Sequence, residues 1–386
     1  MTESILRALG MAFAMGWEIL WPLILGFTLS AIVQAVVSHR EMARLLPDDQ
    51  PASIAKALAL GAASSSCSYA AVAIARALFR KGADFTAAMA FEMASTNLVV
   101  ELAIIMLVFL GWQFALAEFI GAPTMVALLV VLFRLFIDQK LLVEAKEQAD
   151  KGLTGRMEGH AEMDMSVSGG GTLWQRVTSE QGFTAISHYF VTDWVSVWMD
   201  IAGGLLIAGA LAAWVPTEFW QSFFGVDHLL LAKLWGPIVG PLVAVISFVC
   251  SVGNIPLAAV LWNGGISFGG AIAFIFADLI VLPILNIYRK YYGWKMAAFL
   301  FATFYAAMAG AALIVDLIFD ALGLVPAQRN ARVVDASISW NYTTWLNIAF
   351  LILATVLVWR FFKTGGLAML RMMNKPAAMG HSPGRS

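Results

Sequence analysis

The sequence predicts an all-α polytopic membrane protein built from two inverted-topology repeats with paired re-entrant or broken helices, plus a C-terminal span. Three observations predict it. The 386 residues are 60% hydrophobic and only 13% charged, against about 25% charged in an average soluble domain. Several apolar runs exceed the roughly 18 residues that mark a membrane-crossing helix. Two phrases also echo each other: "SSSCSYAAVAIARALFRKG" at Ser64–Gly82 and "SFVCSVGNIPLAAVLWNGG" at Ser247–Gly265. The runs are continuous, whereas a β-barrel needs alternating strands of about ten residues.

The apolar segments fall near 12–38, 54–80, 85–109, 113–137, 196–215, 234–262, 266–288, 296–319 and 343–363. The first contains Glu18 and runs past signal-peptide length without a small-residue cleavage site, so it reads as a retained helix. Residues 139–182 change character to Lys, Glu, Asp and "SGGGT" at Ser168–Thr172, a mobile polar linker. The organisation is then a first membrane repeat at 1–138, a cytoplasmic linker at 139–182 and a second membrane repeat at 183–320. A loop and C-terminal transmembrane helix follow at 321–370, and a disordered tail at 371–386.

The repeat is quantitative. At an offset of 183, Ser64, Cys67, Ser68, Ala75, Leu78, Gly82, Phe85, Ala88, Ala90, Phe91 and Ala94 meet identical residues, 11 of 31 ungapped positions. Composition alone would give about three. Charge argues that the halves are inverted, because cationic loops favour the cytoplasm. The stretch after the first Ser/Cys segment carries Arg76, Arg80 and Lys81, while its counterpart "WNGG" is neutral. The next pair reverses this: "LGWQF" is neutral, and its counterpart carries Arg289, Lys290 and Lys295. Equivalent loops of opposite charge character are the mark of an inverted repeat. Inversion is met directly if each Ser/Cys segment is a hairpin, with Gly253 and Pro256 interrupting the second. The alternative is a full crossing near 183–199. The hairpin reading places the 76–81 loop, the linker, the 289–295 loop and Arg360, Lys363 and Arg371 on the cytoplasmic side.

Two sets of residues can carry chemistry. The first lines a substrate pathway: Ser64, Ser65, Ser66, Cys67 and Ser68, with Ser247, Cys250, Ser251 and Asn254 in the second half. Polar groups are costly in hydrocarbon. Clustered at helix breaks they can hold a solute near the midplane; tight packing through small residues is the competing explanation. Cys67 and Cys250 occupy the same repeat position and could ligate a soft metal or metalloid, although a buried cysteine is more often a small hydrophobe. The second set would couple transport to ions or protons: Glu92, Asn97, Glu101, Asp278 and Asn286, since ionisable residues within spans mark ion and proton routes. Asn97 and Glu101, one turn apart, should share a helix face. Pairing with Arg134 is the structural alternative for the acids. Glu118 and Asp316 are weaker candidates, Asp193 and Asp200 read as interfacial, and His188 with Asp193 does not make a metal site.

No nucleotide-binding loop or nucleophile elbow is present, so the chain reads as neither an ATPase nor a hydrolase. No basic stripe points to nucleic acid, and two cysteines do not form a disulfide framework. The expected partners are a small-molecule or ion substrate and the lipid bilayer, with no cofactor.

The phrases at 64–95 and 249–294 resemble the bacterial permease family that includes the organoarsenical efflux permeases. Cys67 and Cys250 fit its cysteine position and Pro256 its proline position; Ala73 stands at the proline position of the first half. "STNLVVE" replaces a proline-bearing phrase and introduces Glu101. The resemblance implies a multi-pass permease of the cytoplasmic membrane exporting a thiophilic or metalloid compound. Other functions compatible with the residues are a passive channel, a carrier for a small sulfur-containing or other anion, and, in another class, a membrane-embedded thiol enzyme or assembly factor.

Overall fold

The protein is described by a computed structural model covering residues 2–36, 39–64, 68–150, 166–167, 172–214, 229–247, 251–329, 331, 340 and 342–373. Among these residues no strand occurs. The first half comprises α1 (Thr2–Val36), α2 (His39–Leu45), α3 (Pro51–Ser64), α4 (Ser68–Arg80), α5 (Phe85–Asn97), α6 (Val100–Phe109) and α7 (Trp112–Phe136). Two helices, α8 (Gln139–Asp150) and α9 (Leu173–Thr178), belong to the linker. The second half comprises α10 (Glu180–Trp214), α11 (Leu229–Ser247), α12 (Ser251–Asn263), α13 (Phe268–Phe276), α14 (Leu282–Tyr292) and α15 (Trp294–Ala321). A 3-10 turn at Ala277–Ile280 follows α13; α16 (Tyr342–Lys363) and α17 (Gly366–Met373) close the chain. Among the described residues, six segments are long and apolar enough to cross a membrane: Ile19–Val36, Phe85–Phe109, Trp112–Phe136, Phe268–Tyr292, Trp294–Ala321 and Tyr342–Lys363.

Equivalent elements start and stop for the same local reasons. Gly82 and Gly265 adopt φ of 102° and 110° after α4 and α12, a region that side chains with a Cβ resist. Two residues on, Asp84 and Ser267 cap the next helix, accepting from Ala87 N at 3.0 Å and Gly270 N at 3.1 Å. Both following spans are then broken mid-length. Val99 is extended between α5 and α6. In the second half the 3-10 turn and extended Val281 interrupt the chain, and Pro283 sits in the first turn of α14, where its missing N–H is not needed.

α3 and α4 form a hairpin rather than a crossing. Asp84 N, just before α5, donates to Leu46 O at 2.8 Å, which sets the start of α3 beside the start of α5. Farther along, Gly61 packs on Phe91 and Ala94 of α5, so α3 runs with α5 and α4 runs back to the Gly82 turn. α11 follows α13 in the same way, with Gly236 against Ser267 and Gly240 against Gly270 and Phe274. The ends of α3 and α11 therefore lie toward the breaks in the adjacent spans. Every residue of α5 and α13 is buried, which places both helices in the interior of the fold. The stretch 183–199 is the first part of the continuous 35-residue α10, and its Trp194 lies beside Phe27 of the apolar segment of α1.

Two pairs of equivalent helices pack against each other, antiparallel. Along α1 and α10, Gly16 meets Leu205 and Phe27 meets Trp194 edge-on with ring centroids 5.1 Å apart. Along α7 and α15, Gly121 meets Val315 and Gly310 meets Leu128. α16 lies across the first pair. Its Asn347 accepts from Trp21 N at 2.9 Å and donates to Trp17 O at 2.8 Å, beside Pro22 of α1.

The basic loops gather at one end of the molecule. There α8 docks on both halves: Arg76 Nη2 donates to Ala149 O at 2.7 Å, and Gln148 Nε2 donates to Lys290 O at 3.1 Å. Lys295 pairs with Glu144 at 3.0 Å. Arg176 of α9 donates to Val36 O at 3.0 Å, and Arg360 of α16 pairs with Glu180 at 3.1 Å. The described ends of the linker are thus helical and docked, not free. The polar composition concealed Ala145 and Ala149, four residues apart, which bury one stripe of α8.

Candidate functional site

The two broken spans and the start of α4 converge on a buried acidic cluster. Asp278 lies in the 3-10 turn that breaks the second half's span, and Ser68, the first residue of α4, donates to its Oδ2 at 2.7 Å. This bond joins residues 210 apart and ties the hairpin of the first half to the break of the second. Glu92, near the end of α5, accepts a hydrogen bond at Oε1 from the Tyr288 hydroxyl of α14. Thr96 and Asn97, at the end of α5, also approach the Asp278 carboxylate. Glu118 of α7 and Glu92 both lie close enough to Asp278 for their charges to oppose its own. Ser68, Glu92, Thr96, Asn97, Glu118, Asp278 and Tyr288 are each 1% exposed or less.

The cluster is rich in acceptors and poor in donors. Glu92 Oε2, both Glu118 oxygens, Asp278 Oδ1 and Asn97 Oδ1 have no hydrogen-bond partner among the described residues. Buried polar atoms are normally paired, so such a concentration marks a site rather than a packing core. Among the described residues no three His, Cys, Asp or Glu side chains converge as metal ligands.

The sequence candidates fare differently. Ser68, Glu92, Asn97 and Asp278 meet in the cluster. Ser64 is buried at the end of α3; Ser247 ends α11 and Ser251 starts α12. Ser65, Ser66, Cys67 and Cys250 lie outside the described residues. Asn254 is buried on α12, and neither its Nδ2 nor its Oδ1 finds a partner among the described residues.

Asn97 and Glu101 do not share a helix face. The chain breaks at Leu98–Val99 between them, so the i,i+4 geometry is lost, and Glu101 packs against Gly26 of α1. Asn286 is exposed and accepts from Arg289 at 2.9 Å and 3.2 Å, so it does not join the cluster. Arg134 pairs with Asp49 at 2.7 Å and not with the acids. Asp316 packs against Gly269. His188 bonds Thr364 at 2.8 Å, and Asp193 accepts from Gln34 at 3.3 Å. Sequence reasoning ranked Glu118 low and did not single out Tyr288. The signal for Glu118, an acid within an apolar run, was present. Nothing in "NIYRKYYGW" distinguishes Tyr288 from the other aromatics around it.

Residues 4–317 match the family described as "Predicted permease" (ArsP_1). The chain belongs to this permease family. A Mycobacterium tuberculosis protein named "Putative permease Rv2963" is 61% identical over 338 residues, which is 88% of this chain and 83% of that protein. No solved structure matches the chain. With six apolar membrane-crossing segments among the described residues, this permease is a multi-pass integral protein of the cytoplasmic membrane. Its buried cluster draws side chains from both halves.

Proposed function

We propose that this permease moves a small solute through the junction of its two halves and couples that movement to protons held by Glu92 and Asp278. The observation that carries the reading is the Ser68–Asp278 bond, which places a hairpin tip and a broken span of opposite halves on one carboxylate. Carboxyls buried within spans mark proton routes, and sites between repeats at helix breaks suit alternating access. The antiparallel packing of α1 on α10 and of α7 on α15 supports reading the halves as an inverted repeat. The basic end, with Arg76, Lys290 and Lys295 around α8, faces the cytoplasm by the positive-inside rule. Each hairpin is then re-entrant from one side.

The notion of a thiophilic or metalloid cargo rests on Cys67, Cys250 and the family resemblance. The described junction supplies oxygen donors (carboxyls, hydroxyls and an amide), which suit hard or hydrogen-bonding partners. An anion would meet carboxyls there.

The test is proton release from the purified full chain in weakly buffered detergent, read with a pH dye during an alkali pulse. Asp278→Asn and Glu92→Gln should each remove a releasable proton. Equal release by the wild type and both variants would refute proton coupling at this cluster.

A further inference from the structure

We infer that the solute accepted at this junction is a small organic cation bearing N–H donors, an ammonium or guanidinium group, exchanged for protons on the same carboxyls. The inference rests on the proton-coupled reading and adds the substrate class. It follows from what the cluster contains on every side. α5 contributes Glu92, Thr96 and Asn97; α7 contributes Glu118; the 3-10 turn contributes Asp278; α4 contributes Ser68; and α14 contributes Tyr288, with Tyr292 beside it. Three of these groups are carboxyls and none is a cation.

The buried cation of α4, Arg76, stands eight residues beyond Ser68, about 12 Å along the helix. It is turned to the charged end, stacked 4.3 Å from the Tyr291 ring and bonded to Ala149 O.

The unpartnered atoms point the same way. Five acceptor oxygens, four on carboxyls and one on the Asn97 amide, have no donor among the described residues. A ligand complementary to them brings N–H or O–H donors and positive charge together. A proton on a carboxyl does this, and so does an ammonium or guanidinium group. An anion would add like charge to a buried acidic site.

Aromatic faces complete the match. Tyr288 packs edge-on to Phe304, with centroids 6.0 Å apart, and Phe276 abuts Gly121, one turn beyond Glu118 on α7. Rings beside carboxyls favour organic cations. The exchange balances: each cation bound as an ion pair releases one carboxyl proton to solution.

The experiment uses the same detergent-solubilised full chain and pH dye. Methylguanidinium chloride is the probe, because it stays charged at all accessible pH. Choline (a cation without N–H), sulfite and neutral methylarsenite are the comparisons. Methylguanidinium should acidify the medium in proportion to protein. The signal should be lost in Asp278→Asn and Glu118→Gln, and retained in Asp316→Asn, a buried acid outside the cluster. Choline should release at least several-fold less. Release by sulfite or methylarsenite but not by methylguanidinium would overturn the cationic class, and equal release by choline would overturn the N–H requirement. If Asp278-dependent protons come off in the alkali pulse but methylguanidinium displaces none, this inference fails alone. If the alkali pulse finds no such protons, the proton-coupled reading fails with it.

Discussion

Removing the Ser68 hydroxyl tests the bond that joins the halves. Ser68→Ala would leave Asp278 Oδ2 without its 2.7 Å donor, while Oδ1 already has no hydrogen-bond partner among the described residues. A hydrogen bond to a charged group contributes about 1.5–3 kcal/mol, and a neutral one about 0.5–1.5 kcal/mol. The serine should therefore be worth about 1.5–3 kcal/mol when Asp278 is ionised. In an Asp278→Asn background, where an amide oxygen accepts instead, it should be worth about 1 kcal/mol. The difference, about 1 kcal/mol, is the interaction energy of the pair in a double-mutant cycle. The assay is unfolding of the purified chain in mixed micelles by added denaturing detergent, followed by tryptophan fluorescence and far-ultraviolet circular dichroism. Ser68→Thr, which keeps the donor, should restore most of the loss. If Ser68→Ala costs nothing in either background, the hairpin tip does not rest on the broken span.

Three further outcomes follow from the packing. With both native cysteines replaced by serine, single cysteines at Lys81 and Lys295 should react with an impermeant thiol reagent from the same side of the membrane, because α8 bridges both loops. Labelling from opposite sides would contradict the shared end. Gly61→Val should destabilise by about 1–3 kcal/mol through overpacking, since even a Cβ would lie 2.5 Å from Phe91 O and 2.7 Å from Ala94 Cβ; an unchanged unfolding midpoint would separate α3 from α5. Asn347→Leu removes both bonds to α1 at Trp17 and Trp21 and should cost about 1–3 kcal/mol, whereas a surface change such as Thr355→Ala should be close to neutral in the same unfolding assay.

The membrane class and the paired halves were legible because their causes are local. Apolar runs, φ-positive glycines and capping residues act over a few positions, so Gly82 with Asp84 and Gly265 with Ser267 can be read from the chain. Glu92 and Asp278 were legible because a carboxyl in an apolar span is costly wherever it points. Face assignments were less secure. Asn97 and Glu101 parted because the span breaks between them, and Asn286 turned outward to Arg289.

By itself the sequence determined the all-helical class and the equivalent segments, and it offered Glu92 and Asp278 among several candidate acids, each a matter of composition or of neighbours within a turn or two. The tertiary structure alone decided that Ser/Cys hairpins turn back beside α5 and α13, and that Glu118 and Tyr288 join Glu92 and Asp278. It also decided that Ser68 reaches across 210 residues to the opposite half. Those facts depend on how helices from distant parts of the chain pack together, which no local periodicity encodes.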